Sequence, residues 1–231
     1  TWSSDTIYIL DDLVFVEEGA VLNIEAGTVV KGNTGQTTNA KALVIARGVK
    51  IYALGTKTKP IVFTSSSDTI EEVDQPSSIP SDTRGLWGGI IILGKAEINT
   101  SADSGQIEGI PSTNPKGAYG GTENDDNSGV VRFVSIRYGG TDIGEGNEIN
   151  GLTMGAVGSG TTIEYVEVYN NKDDGFEWFG GTVNTRYLVA AFCGDDAFDY
   201  DEGFRGAGQF WFAIQRDDGD GEDDEMPSLD A

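Results

Sequence analysis

A chain of 231 residues with 38 Asp and Glu against 15 Lys and Arg carries a formal charge of −23, which argues against nucleic acid and anionic membrane as partners, since both require a basic surface. It contains no histidine, which excludes a Ser-His-Asp triad, His-based acid–base catalysis and the usual catalytic zinc sites. A single cysteine, Cys193, excludes an internal disulfide, and within the apolar run LVAAFC it reads as a small packing residue.

The opening TWSSDTIYIL is not a signal peptide, and no apolar run approaches membrane-spanning length, so no membrane insertion is expected. A mature chain whose leader has been removed would begin this way. From Leu13 the sequence LVFVEEGAVLNIEAGTVVKG alternates in short segments broken by Gly19 and Gly27, a strand-and-corner pattern. A second copy follows 29 residues on: Val14 and Val16 correspond to Leu43 and Ile45, Gly19 to Gly48, and Leu22 and Ile24 to Ile51 and Ala53. The extra length lies in the polar insertion GNTGQTTNAK. Pro60 then opens a strand, where its missing N–H is tolerated.

Residues 68–84 are polar and contain Pro76 and Pro80, which predicts a surface excursion. The next segment, GLWGGIIILGKAEI, is continuously apolar, as expected of a strand covered on both faces, with Trp87 a core or corner residue rather than a sugar platform. A second excursion, 99–128, carries Glu123, Asp125 and Asp126 in a Gly-flanked loop that reads either as a calcium site or as a solvated tip. The core resumes as VVRFVSIRYGG, where Val134, Ile136 and Tyr138 precede Val166, Val168 and Asn170 by 32 residues, the additional length falling in TDIGEGNEIN.

In the last third the repeat runs with the fewest interruptions. Asp173-Asp174 recurs as Asp195-Asp196 and Asp217-Asp218 at a step of 22 residues; Phe176 corresponds to Phe198, Trp178 to Tyr200, Gly181 to Gly203, and Leu188, Ala190, Phe192 to Phe210, Phe212, Ile214. Repeats of this length without helical periodicity mark a solenoid. The expected fold is all-β, a right-handed parallel β-helix of roughly seven coils with loop excursions over residues 1–216, followed by an acidic tail, 217–231. At the inter-strand spacing such a rod is about 34 Å long.

Residues one period apart stack in columns about 4.8 Å apart. Asp174, Asp196 and Asp218 then share one column and Glu177 and Asp199 another, while strand alternation sends Asp199 and Asp201 to one face and Phe198 and Tyr200 to the other. Two like charges about 5 Å apart repel by roughly 3 kcal/mol at an effective dielectric near 20. A hard cation relieves this, so Asp174, Glu177, Asp196, Asp199, Asp201 and Asp218 are expected as ligands of calcium, Ca2+. The competing reading is that each Asp caps a corner by accepting backbone N–H groups. In the tail, DGDGEDDE matches part of a calcium loop without its full twelve-residue spacing.

The segments VEEGAVLNIEAGTVVKG, ALVIARGVKIYALGTKTKPIVFTSS, GLWGGIIILG, RYGGTDIGEGNEINGLTMGAVGSGTTIEYVEV and GDDAFDYDEGFRGAGQFWFAIQ resemble a family of secreted or surface proteins of Gram-negative bacteria, of the lipoprotein or type IX secretion substrate type, within the pectin-lyase-like right-handed parallel β-helix superfamily. That resemblance implies an extracellular or cell-surface location, and a fold that hosts both lyases and non-enzymatic modules. Polygalacturonases of the superfamily use three aspartates, two of them adjacent; Asp195, Asp196, Asp199 and Asp201 resemble that set, but the accompanying His and Arg-x-Lys have no match. A calcium-dependent lyase would instead need an Arg or Lys base beside the metal, for which Arg186 and Arg205 are candidates.

The expected function is therefore a non-enzymatic, calcium-stabilised structural or adhesive module. Its partners are an extracellular polysaccharide or other cell-surface ligand, or further copies stacked head to tail into filaments, because neither terminus shows an amphipathic capping helix. The alternative is a calcium-dependent polysaccharide lyase or glycoside hydrolase.

Overall fold

The computed structural model describes residues 1–144 and 147–216. Among them there is no α-helix, and the strands wind into coils of three. The first coil comprises β1 (Tyr8–Leu10), β2 (Leu13–Val16) and β3 (Val21–Ile24), and the second β4 (Val29–Gly32), β5 (Ala42–Ile45) and β6 (Lys50–Leu54). The third opens with β7 (Ile61–Ser65) and β8 (Ile90–Leu93). A small antiparallel pair, β9 (Gly105–Gln106) and β10 (Ala118–Tyr119), interrupts it before β11 (Gly129–Arg137) closes it. A second antiparallel pair, β12 (Thr141–Gly144) and β13 (Asn147–Ile149), precedes β14 (Leu152–Gly155) and β15 (Thr162–Tyr169). The chain then continues through β16 (Phe176–Phe179), β17 (Thr185–Ala191), β18 (Phe198–Asp201) and β19 (Gly208–Ile214).

Every pairing between coils is parallel. Sheet one runs β1-β4-β7-β11-β15-β17-β19, and sheet two β2-β5-β8-β14-β16-β18. β3 and β6 begin a third face that continues on the first half of β11: Gly129 to Arg132 pair with β6, while Val134 to Ile136 pair with β7. From β11 onward one strand thus serves two faces, bent at a single residue in the left-handed region: Phe133 (φ 49°), Tyr165 (56°), Tyr187 (56°) and Phe210 (60°). A left-handed residue turns the chain within one step, so pairing resumes at once on the next face. Among the described residues this gives six complete coils and the first strand of a seventh, a parallel β-helix as the repeat predicts.

The interior follows from alternation. Leu43, Ile90, Leu152, Phe176 and Phe198 stack coil upon coil inside, as do Ile45, Ile92, Met154 and Trp178. The predicted two-sided cover of β8 is present: Ile90 and Ile92 face the interior, and Ile91 and Leu93 face a second apolar cluster with Ile107, Ile110 and Tyr119 from the 99–128 excursion. Trp87 is fully buried and its Nε1 donates to the Arg137 carbonyl at 2.8 Å, a core residue as read from sequence. The 68–84 excursion is pinned by Asp68, whose carboxylate accepts from Thr64, Ser77 and Ser78.

The correspondence of the last coil is corrected by one residue. A step of 22 sets Leu188 against Phe210, but β17 pairs with β19 as Leu188↔Trp211, Val189↔Phe212 and Ala190↔Ala213, a step of 23. The additional residue lies in the corner between β18, which still follows the step of 22, and β19. A slip of one residue exchanges the two faces of a strand. Trp211 and Ala213 accordingly pack against the core, and Phe210, Phe212 and Ile214 are exposed.

Candidate metal centre

The corner that leads into sheet two, together with the outward face of β16 and β18, gathers the acidic residues. Strand alternation turns Phe176 and Trp178 inward and Glu177 outward, and β18 repeats this with Phe198, Tyr200 and Asp199. Glu177 and Asp199 are register partners one coil apart. Asp173-Asp174 and Asp195-Asp196 occupy the preceding corners of the same two coils. Two sets of carboxylate oxygens lie within 4.8 Å of one another: Asp173, Asp174 and Asp195, and Asp174, Glu177 and Asp199.

Two neighbours from the excursions complete the cluster. Glu108 shares a side-chain hydrogen bond with Glu177, and Glu148 adds its charge to those acting on Glu108 and Asp173. Asn150 clamps the arrangement: its Oδ1 accepts from the Asp174 backbone N–H at 3.2 Å and its Nδ2 donates to Glu177. Below, the buried Asn171 donates from Nδ2 to the Asp174 carbonyl at 2.6 Å.

Burial and mutual repulsion hold these groups far from ordinary carboxylate behaviour. Burial, followed by the charges of Glu148 and Asp195, pushes Asp173 up to about 8. Asp174 is pushed up to about 9 by burial and then by Asp173, Asp199 and Asp195. Glu108 and Glu177 are both raised, burial again being the leading cause, so that this pair retains a proton where isolated carboxyls would have lost theirs. A donor set made wholly of carboxylate oxygens suits a hard cation, which would take the place of those protons.

The six expected ligands separate. Glu177 and Asp199 stand together in one column, and Asp174, expected in the column of Asp196 and Asp218, joins them. Asp196 is in neither group, although its charge acts on Asp174; its backbone N–H donates to Asp174 Oδ1 at 2.9 Å, so Asp174 also caps the corner above it, and the capping and clustering roles coexist in one residue. Asp201 stands outside both groups. Its Oδ1 accepts from the Glu202 N–H, and its charge acts on Glu202 and Tyr119, because it lies one pleat beyond Asp199, toward the far end of β18. Asp218 falls outside the described residues, as does the tail.

Asp173 and Asp195 complete the first group although only their partners Asp174 and Asp196 were expected as ligands; the doubled Asp at each corner was the signal. Glu108 and Glu148 carry no such signal, since they belong to excursions that do not follow the repeat. In the 99–128 excursion, Asp126 Oδ2 accepts from the Lys95 N–H at 3.2 Å and Glu123 pairs with Lys95 at 3.7 Å, so this loop is fastened to the chain beside β8. The two candidate bases are engaged elsewhere: Arg186 Nε meets Glu164 at 2.7 Å on the third face, and Arg205 reaches Glu97 at 2.7 Å and Asn124 at 3.1 Å. Cys193 is buried and its thiol is pushed up to about 12 by that burial, consistent with a packing role.

Neither the curated proteins nor the solved structures contain a match to the chain. Residues 1–226 match the family described as a pectate-lyase like beta helix domain, in agreement with the parallel three-faced coils, and the chain belongs to that family.

Proposed function

We propose that the chain is a non-enzymatic extracellular β-helix module whose acidic cluster binds calcium, and that the bound ion fixes the C-terminal coils into a rigid surface for a polysaccharide, another cell-surface ligand or a further copy of the chain. The observation that carries this reading is the convergence of Asp173, Asp174, Glu177, Asp195 and Asp199 from two successive coils into oxygen groups of ligand spacing. Their mutual repulsion is a cost that a cation offsets. Self-association is supported by β19, the last strand among the described residues, which within them pairs only with β17 and exposes Phe210, Phe212 and Ile214.

Calorimetric titration with calcium after chelation tests the binding. The expected result is calcium uptake with a rise in melting temperature, and a flat titration with unchanged melting leaves capping as the only role of these residues. The alternative, a calcium-dependent polysaccharide lyase or hydrolase, rests on the same acids and needs a base beside the ion. Arg186 and Arg205 are committed to Glu164 and Glu97, which favours the non-enzymatic reading. Calcium-dependent growth of unsaturated-product absorbance on pectins or alginates would reverse that preference.

A further inference from the structure

The acidic side chains do not converge on a single point. Their ligand atoms fall into two groups that share Asp174 alone: Asp173 and Asp195 on one side, Glu177 and Asp199 on the other. The division follows from the coil. Asp173 and Asp195 form a column at the corner, Glu177 and Asp199 form a column on the strands, and Asp174 belongs to both groups.

A second observation concerns the strand column. Thr153 is the register partner of Glu177 in the coil below, and of Ile91 in the coil below that. Leu152 and Met154 on either side belong to the interior core, so Thr153 faces outward, beneath Glu177. It is 1% exposed and its Oγ1 has no hydrogen-bond partner. A buried hydroxyl without a partner is unfavourable, and this one has a hard-oxygen lone pair at the foot of a carboxylate column.

Resting on the calcium reading above, we propose that the cluster holds two divalent cations bridged by the Asp174 carboxylate: a corner ion on Asp173 and Asp195, and a strand ion on Glu177 and Asp199 with the Thr153 hydroxyl as a neutral ligand. A single dication at either position leaves the other pair of acids in repulsion, whereas two relieve both columns. The shared carboxylate screens the ions from each other and couples their binding.

The test is calorimetric titration of the chelator-treated full chain with calcium chloride, together with calcium anomalous scattering from crystals of the unaltered protein. Two equivalents and two anomalous peaks flanking Asp174 are expected. Asp195→Asn should remove the corner event and Asp199→Asn the strand event, while Thr153→Val weakens only the strand event, by about tenfold. In chelator, Thr153→Val should melt higher than the unaltered chain, because it deletes the unpartnered hydroxyl without changing shape; this shows that the variant folds. One equivalent with one peak, loss of the same event in Asp195→Asn and Asp199→Asn, or Thr153→Val binding with unchanged affinity would each overturn the two-ion arrangement while leaving calcium binding in place. No uptake at all would overturn both.

Discussion

Two columns of this β-helix obey one geometric rule with opposite energetic results. At the corner between the third face and sheet one, Phe133, Tyr165, Tyr187 and Phe210 stack with ring centroids 4.5, 4.4 and 4.8 Å apart and nearly parallel planes. At the corner and strands of sheet two, the same coil spacing stacks Asp173 under Asp195 and Glu177 under Asp199. Each aromatic contact stabilises by about 0.5–1.5 kcal/mol. Each acidic contact costs roughly 3 kcal/mol when both members are ionised at an effective dielectric near 20. In-register stacking therefore amplifies whatever residue is placed in it: the aromatic column contributes under all conditions, and the acidic column makes stability depend on protons and cations.

The largest expected effect breaks the comparison on the acidic side by pH. Asp173 and Asp174, raised from 3.8 to about 8 and about 9, hold protons more tightly folded than unfolded. The resulting stabilisation is fully present below about pH 4 and is lost as pH climbs through 8 and 9. In chelator, the unfolding free energy should fall by on the order of 10 kcal/mol between pH 4 and pH 9, a drop of about 20 °C or more in melting temperature. Saturating calcium should flatten this slope, since ion-bound carboxylates are already ionised. Thermal melts across pH, with and without calcium, give the answer; a pH-independent melt in chelator would show that the acids are not in repulsion.

Next in size is a reversal of sign at Asp174. Asp174→Asn keeps an Oδ1 to accept from the Asp196 N–H but removes the central charge. In chelator at pH 9 it should stabilise by about 2 kcal/mol. In calcium at about 100 times the dissociation constant it forfeits about 3 kcal/mol of binding free energy, which outweighs that gain and leaves it less stable than the unaltered chain by about 1 kcal/mol. Chemical denaturation in the two buffers should give opposite orders for the same pair of proteins.

How much of this was legible depended on whether a residue followed the repeat. Asp174, Glu177 and Asp199 are on the 22-residue step, and their neighbourhood could be read directly. Glu108 and Glu148 enter from excursions whose lengths are unrelated to the coil, so periodicity could not bring them to Glu177. The aromatic column was hidden for a different reason: Tyr165, Tyr187 and Phe210 are left-handed corner residues within strands that look continuous in sequence, and bulky side chains rarely adopt that conformation. The last coil was misread by one residue because Phe210, Trp211, Phe212, Ala213 and Ile214 are apolar without interruption. Alternation then offers no way to tell the inner from the outer face.

A smaller effect is expected in the aromatic column. Tyr187→Ala removes two stacking contacts and should cost about 1–3 kcal/mol. Tyr187→Gly removes the same contacts but relieves the positive φ, so it should cost about 1 kcal/mol less than the alanine variant. Both losses should be unchanged by calcium or by pH between 4 and 9, in contrast to every substitution in the acidic column.

The smallest effect tests the register on which the exposed face of β19 depends. With Phe212 opposite Val189 rather than Ala190, its ring points outward and is 57% exposed. Phe212→Ser should therefore change stability by less than about 0.5 kcal/mol, in the range of surface substitutions. Under the step of 22 the same ring would be in the core, and its loss would cost about 3–5 kcal/mol. Trp211, stacked on Trp178 at 4.9 Å and Phe198 at 4.7 Å, provides the reference for that larger loss when changed to alanine. Light scattering on the folded Phe212→Ser protein then isolates the surface contribution: if the apolar face of β19 drives self-association, particle size should fall toward the monomer with the melting curve unmoved. An unaltered particle size would place any assembly contact elsewhere on the coil.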